Sequence, residues 1–170
     1  RIDGSTSRPG FSAAAFAEGR YLPSADPVRS YGFLQQESTF WRRSLWEAAG
    51  GQLNTSCGMA GDYELWQRFF ALAPCAGVAV PLALNRRQHR QQSQAIERYT
   101  AQSLDACHRI PAPSSRSAHL RSACLRLGLN RWPTLSRRLA RRFGYRGLRI
   151  ERSEPQGPQS SWRLEEHWFL

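Results

Sequence analysis

Between Gln35 and Arg68 the apolar positions fall into two stretches of helical spacing separated by glycine. Phe40, Trp41, Leu45 and Ala48 recur at short helical intervals, and Gly50-Gly51 closes the run. Glycine supplies the left-handed conformation at which many helices end. Ser38 or Thr39 is placed to cap this first helix, because a hydroxyl oxygen accepts a bond from an otherwise unpaired backbone N–H. A second helix begins at Asp62, itself a capping residue type, and carries Leu65, Trp66, Phe69 and Phe70 as a stripe for burial. The pattern predicts two amphipathic helices facing each other across a short glycine-rich loop.

The rest of the chain is less regular. Residues 1–30 are rich in Gly, Ser, Pro and Ala; Arg1 to Gly4 can close a strand and turn, and Phe11 to Ala17 can form a short helix. Gly32 to Gln36 reads as a short buried strand. The longest uncharged apolar run, residues 69–84, is interrupted by Pro74 and Pro81 and falls short of the roughly 20 residues that span a bilayer. It reads as a helix end, a turn and short strands over Gly77 to Val80 and Leu82 to Arg87. Residues 94–108 form a helix, and Ile110 to Ser117 is a linker by composition. Two further helices follow, Ala118 to Leu127 and Pro133 to Phe143, with Pro133 suited to a first helical position where its missing N–H is no loss. The expected organisation is a main domain over 1–109, a basic helical extension over 110–150 and a flexible tail over 151–170.

Composition changes this picture in two places. Apolar residues make up 41% of the 170, enough for the core of one domain. The net charge is +11 and every one of the 24 basic residues is arginine; twelve lie after Ile110, against four acids. The excess of charge therefore sits in the carboxyl-terminal part and favours anionic partners: nucleic acid, acidic lipid or phosphorylated substrate. The helix over 133–143 sharpens this, with Trp132, Leu135, Leu139 and Phe143 on one side and Arg137, Arg138, Arg141 and Arg142 supplying charge. It reads either as a helix docking on anionic membrane surfaces or as one packed on the protein with solvated arginines. Cys57, Cys75, Cys107 and Cys124 form no C-x-x-C pair, so the reading is free thiols in a reducing cytoplasm, with neither zinc nor a disulfide framework. The chain opens on Arg1 without a charged-then-apolar leader, and the expectation is a piece of a longer protein.

The stretch QQESTFWRRSLWEAAGGQLNTSCGMAGDYELWQR, residues 35–68, resembles the carboxyl-terminal, acceptor-side half of an inverting family 2 glycosyltransferase of the GT-A type. Gln36, Ser38 to Trp46, Gly50, Gly51, Leu53, Ser56, Ala60, Asp62, Tyr63, Leu65, Trp66 and Arg68 match that pattern in order. A weaker likeness extends back to Ile2-Asp3-Gly4 and forward through Arg86 to Ser93, about half the chain. The resemblance implies an α/β fold, a partial GT-A domain whose Rossmann-like nucleotide-binding half lies upstream of residue 1. It also implies a nucleotide-sugar donor, a saccharide or lipid-linked acceptor, and a cytoplasmic setting on the inner face of the membrane in bacterial polysaccharide synthesis.

Glycosyl transfer with inversion needs a base for the acceptor hydroxyl and a way to neutralise the departing diphosphate, usually a divalent metal. By resemblance Asp62 is the catalytic base; read from its position alone, it is equally a helix cap. A helix amino terminus favours the carboxylate and by itself lowers its pKa. Glu64, two residues on, turns away from Asp62 and reads as an exposed helix charge. By resemblance His89 is a ligand for Mn²⁺ or Mg²⁺, beside carboxylates of the upstream half; the plainer reading is a solvated histidine in an arginine-rich loop. Arg90, with Arg86 and Arg87, reads either as a contact to the substrate diphosphate or as a solvated loop arginine. Gln36, Glu37 and Trp66 line the acceptor side by resemblance, while Trp41 and Trp46 read as core.

The chain also departs from the pattern. Asn54 stands where Asp is common, Gln52 is an added residue in the glycine loop, Gly61 replaces an apolar neighbour of the base, and no Asp-x-Asp motif occurs. Two other readings therefore stay open. One is a basic nucleic-acid-binding module, suggested by a pI near 10.9 but lacking a recognisable binding motif. The other is a noncatalytic interaction domain that keeps the fold without the activity.

Overall fold

The computed structural model describes residues 10–22, 30–78, 80, 82, 96–106, 115–152 and 161–170. It is an α/β protein in two compact units. The helical unit comprises Ala14–Ala73 and Leu82–Pro113; the sheet unit comprises Arg1–Ala13, Pro74–Pro81 and Ser114–Leu170.

The helical unit contains α1 (Ala13–Ala17), α2 (Arg43–Ala48), α3 (Gly61–Leu72) and α4 (Ile96–Ala106). Its axis is α3, where Tyr63 through Gln67 are all buried and Phe69 follows. A helix hidden on so many sides is central rather than amphipathic, and its stripe of Leu65, Trp66 and Phe69 is in the core as the spacing predicts. Phe16 of α1 stacks on Tyr63 with ring centroids 4.4 Å apart and meets Phe70 at 4.9 Å. The first predicted helix is shorter than its apolar spacing implies. Ser38 and Thr39 do not cap it: their hydroxyls donate to the Gln35 carbonyl within a 3₁₀ turn over Gln36–Ser38. The helix starts only at Arg43, and Phe40 is left 75% exposed. Gly50 and Gly51, both at positive φ, end it as predicted. Gly51 N–H donates to the Trp46 carbonyl and Gly50 N–H to that of Glu47, the paired bonds of a Schellman closure.

The sheet unit holds β1 (Ala76–Val78), α5 (Ser115–Arg126), α6 (Pro133–Phe143), β2 (Tyr145–Arg152) and β3 (Trp162–Phe169). The strand order is β1-β2-β3, with β1 parallel and β3 antiparallel to β2. Proline occupies the first position of α6, as its sequence predicts. The expectation of a flexible tail over 151–170 is corrected for the described residues, 153–160 lying outside them: all eight residues of β3 pair with β2, from Tyr145↔Phe169 to Arg152↔Trp162. Charge hides this strand from a hydropathy reading, because Arg146–Glu166 ion pairing across the ladder replaces apolar alternation. Cys124, Ala140 and Leu170, with Leu125, Leu129 and Leu139 against them, form the core under the two helices. Gly144 is required where α6 turns into β2, since a Cβ there would lie 2.4 Å from the carbonyl oxygens of Ala140 and Phe169. The strand expected at Arg1 to Gly4 lies outside the described residues, as does most of the one expected over Leu82 to Arg87.

Candidate functional site

Asp62 stands in the first turn of α3, whose amino-terminal flank is Ala60. It is therefore not the capping residue itself. Its Oδ1 accepts from the Tyr63 N–H at 2.7 Å and from the Tyr99 hydroxyl at 3.2 Å. Both hydrogen bonds go to Oδ1, so Oδ2 is the oxygen left to take up a proton. The pKa of Asp62 is raised, chiefly by burial; the bonds from Tyr63 and Tyr99 pull it down, and the like charge of Glu37 adds to the rise. This reverses the expectation from the helix terminus, because loss of hydration outweighs the macrodipole at this half-buried position. Tyr99 is itself held protonated, its pKa pushed up by burial and by the Asp62 charge, so it remains a donor to the carboxylate. The exposed Phe33 lies against the Tyr99 ring, edge to face at 5.7 Å between centroids.

Three segments hold this arrangement. Asn54 Oδ1 accepts from both the N–H and the hydroxyl of Ser56, starting the 3₁₀ turn over Thr55–Ala60 that feeds α3. Gly58 in that turn takes φ +56°, and the Gln102 side chain sits 3.1 Å from where its Cβ would be. Gln102 Oε1 accepts from Met59 N–H at 3.0 Å, tying α4, which carries Tyr99, to the start of α3. The third segment is the glycine loop, held by Arg68. Its guanidinium pairs with Glu64 at 2.9 Å and donates to the carbonyls of Ala49 and Gln52. Glu64 is thus a buried partner of Arg68, not the exposed charge its position implied. Asn54, Gln102, Tyr99 and the clamp of Arg68 went unread in the sequence. The local signals were the i, i+4 spacing of Glu64 and Arg68 and the i, i+2 spacing of Asn54 and Ser56.

The predicted site residues divide. Gln36 and Glu37 lie together on the exposed 3₁₀ turn, with the Glu37 charge felt at Asp62. Trp66 is 3% exposed and packs edge-on against Trp41 at 5.6 Å, so it supports the site from inside rather than lining an acceptor surface. Trp41, read as core, is instead 40% exposed. His89 and Arg90, with Arg86 and Arg87, lie outside the described residues. Around Asp62 the described residues supply two carboxylates and a phenol but no set of three metal-binding side chains. They do not by themselves fit a divalent ion. Three such groups do meet in the sheet unit, where ligand atoms of Glu151, Glu165 and His167 fall within 4.8 Å of one another. There Glu151 is already paired with Arg149 at 3.2 Å, and His167 Nε2 lies 3.2 Å from the same carboxylate oxygen without a hydrogen bond to it.

Comparison of the chain with protein-family models, curated proteins and solved structures gave no significant match. Among the described residues, no helix is long and apolar enough to cross a membrane.

Proposed function

We propose that the helical unit is the acceptor-side part of an inverting glycosyltransferase of the family 2, GT-A type, with Asp62 as its general base. The observation that carries this reading is the state of Asp62. It is a half-buried carboxylate with raised pKa, fixed through one oxygen by a backbone amide and a tyrosine hydroxyl. A carboxylate that only ends a helix gains from being ionised and hydrated. One drawn toward neutrality in a rigid cradle is better matched to accepting a proton.

In the proposed reaction the acceptor hydroxyl oxygen attacks the anomeric carbon of a nucleotide sugar as the bond to the diphosphate oxygen breaks. The sugar inverts, and the hydroxyl proton passes to Asp62 Oδ2. Tyr99 keeps the carboxylate from rotating, and Glu37 raises its basicity. Arg68 acts one layer below, fixing the loop on which α3 is set.

The pH profile of turnover tests the assignment, with nucleotide sugars and a saccharide acceptor supplied to the full-length protein. Activity is lost as pH falls and Asp62 becomes protonated. Tyr99→Phe removes a bond that lowers the Asp62 pKa, so the acid limb moves to higher pH while turnover falls about tenfold. An unmoved limb places the base elsewhere.

A further inference from the structure

The hairpin of α5 and α6 leaves two kinds of side chain in solvent together. Leu129, in the connecting turn, is packed against the small core of Cys124, Ala140 and Leu170. On either side of it Leu127 is 73% and Trp132 69% exposed, and Leu135, one turn into α6, is 38% exposed. The same helix presents Arg137, Arg138, Arg141 and Arg142, all exposed. Among the described residues, none of these four forms an ion pair. From Ser115 to Gly144 the chain has eight arginines and no acidic residue, so nothing within the hairpin neutralises them.

We propose that this hairpin is a docking surface for anionic lipid bilayers, with Trp132, Leu127 and Leu135 entering the interface and the α6 arginines meeting lipid phosphates. Indole rings favour the headgroup level, where one end is apolar and the other wet. Arginines flanking such an anchor gain from the negative surface potential of acidic lipid. Charge decides against a second copy of the chain, since two patches of one sign repel. The apolar members decide against duplex nucleic acid: a duplex backbone rewards arginine but gives Leu127 and Trp132 nothing to enter. At 11 residues, α6 lies on a membrane rather than crossing it. The site is independent of Asp62 and stands whether or not the chain transfers sugar.

Flotation of the full chain with three probes tests this: phosphatidylcholine vesicles, the same vesicles with about 30% phosphatidylglycerol, and a DNA duplex. Binding to the anionic vesicles exceeds binding to neutral ones by about a hundred-fold at low salt and weakens as salt is raised. Replacing the four α6 arginines by glutamine removes that preference. Replacing them by lysine keeps it, which separates loss of charge from loss of fold. Trp132→Ala weakens vesicle binding about tenfold and leaves binding to the duplex unchanged. Equal binding to neutral and anionic vesicles overturns the proposal. So does a glutamine variant that binds like the parent, or a duplex held more tightly than anionic vesicles at the same salt.

Discussion

The two units use arginine in opposite ways. In the helical unit Arg68 is drawn inward, pairs with a buried glutamate and holds the carbonyls at the end of α2. In the sheet unit most of the described arginines are left in solvent, four of them along α6. The exception confirms the physical rule. Arg121 is 3% exposed, donates to the Phe143 carbonyl at 2.6 Å and stacks 4.3 Å from the Tyr145 ring centre. Each unit therefore commits one arginine to closing a helix carboxyl terminus, where a planar, always-charged donor suits orphaned carbonyls. The count of basic residues says little about function until those structural arginines are set apart from the exposed ones. What remains includes the four exposed arginines of α6, with Arg116, Arg126 and Arg131 exposed nearby in the chain.

The comparison breaks first at the Arg68 clamp. Arg68→Ala strands a buried Glu64 carboxylate and frees the glycine loop, and costs about 3 kcal/mol. Hydrogen exchange then shows lost protection in α3 with little change in β2. By contrast, Arg138→Ala on the exposed α6 face changes stability by less than about 0.5 kcal/mol. The sheet unit has its own tight point, where Gly144→Ala drives a Cβ against two carbonyl oxygens. It lowers stability by about 2 kcal/mol in urea unfolding, with the loss of protection now in β2 and β3. The smallest effect sharpens the contrast in buried groups. Burial pushes the Cys75 thiol up to about 11, so at pH 8 its thiolate fraction is on the order of one in a thousand. A disulfide reagent should label it more slowly than free cysteine.

Much of the helical structure in both units was legible from the sequence because helical order is local. Apolar spacing placed α3, Gly50-Gly51 marked the end of α2, and Pro133 marked the start of α6. Boundaries failed where a competing local bond won: Ser38 and Thr39 bind the Gln35 carbonyl instead of capping, so α2 begins at Arg43. The sheet was illegible for a different reason. β1 pairs with a strand about 70 residues further along, and β3 carries charge where a hydropathy reading expects alternation. At the candidate site Asp62 could be picked out, but not its ionisation. Its raised pKa depends on burial by surrounding segments and on Tyr99, 37 residues away, and no spacing rule reaches that far. Apolar spacing placed Trp66 in the core, where it lies, whereas the resemblance put it on the acceptor side; Trp41, read as core, precedes α2 and is 40% exposed.

The central claim is that Asp62 takes a proton rather than merely bracing a helix, and one pair of variants tests it in the full-length protein. Asp62→Asn preserves shape and an oxygen able to accept the Tyr63 and Tyr99 bonds, while Asp62→Ala removes both. Both variants should lose turnover by about 10²-fold or more, since neither can act as a base. Only the alanine variant should also lose about 1 kcal/mol of stability. Donor affinity should stay at the parent value in the asparagine variant, because the lost interaction belongs to the transition state. An asparagine variant that keeps more than about a tenth of the parent turnover would contradict the claim, leaving Asp62 as part of the helix start.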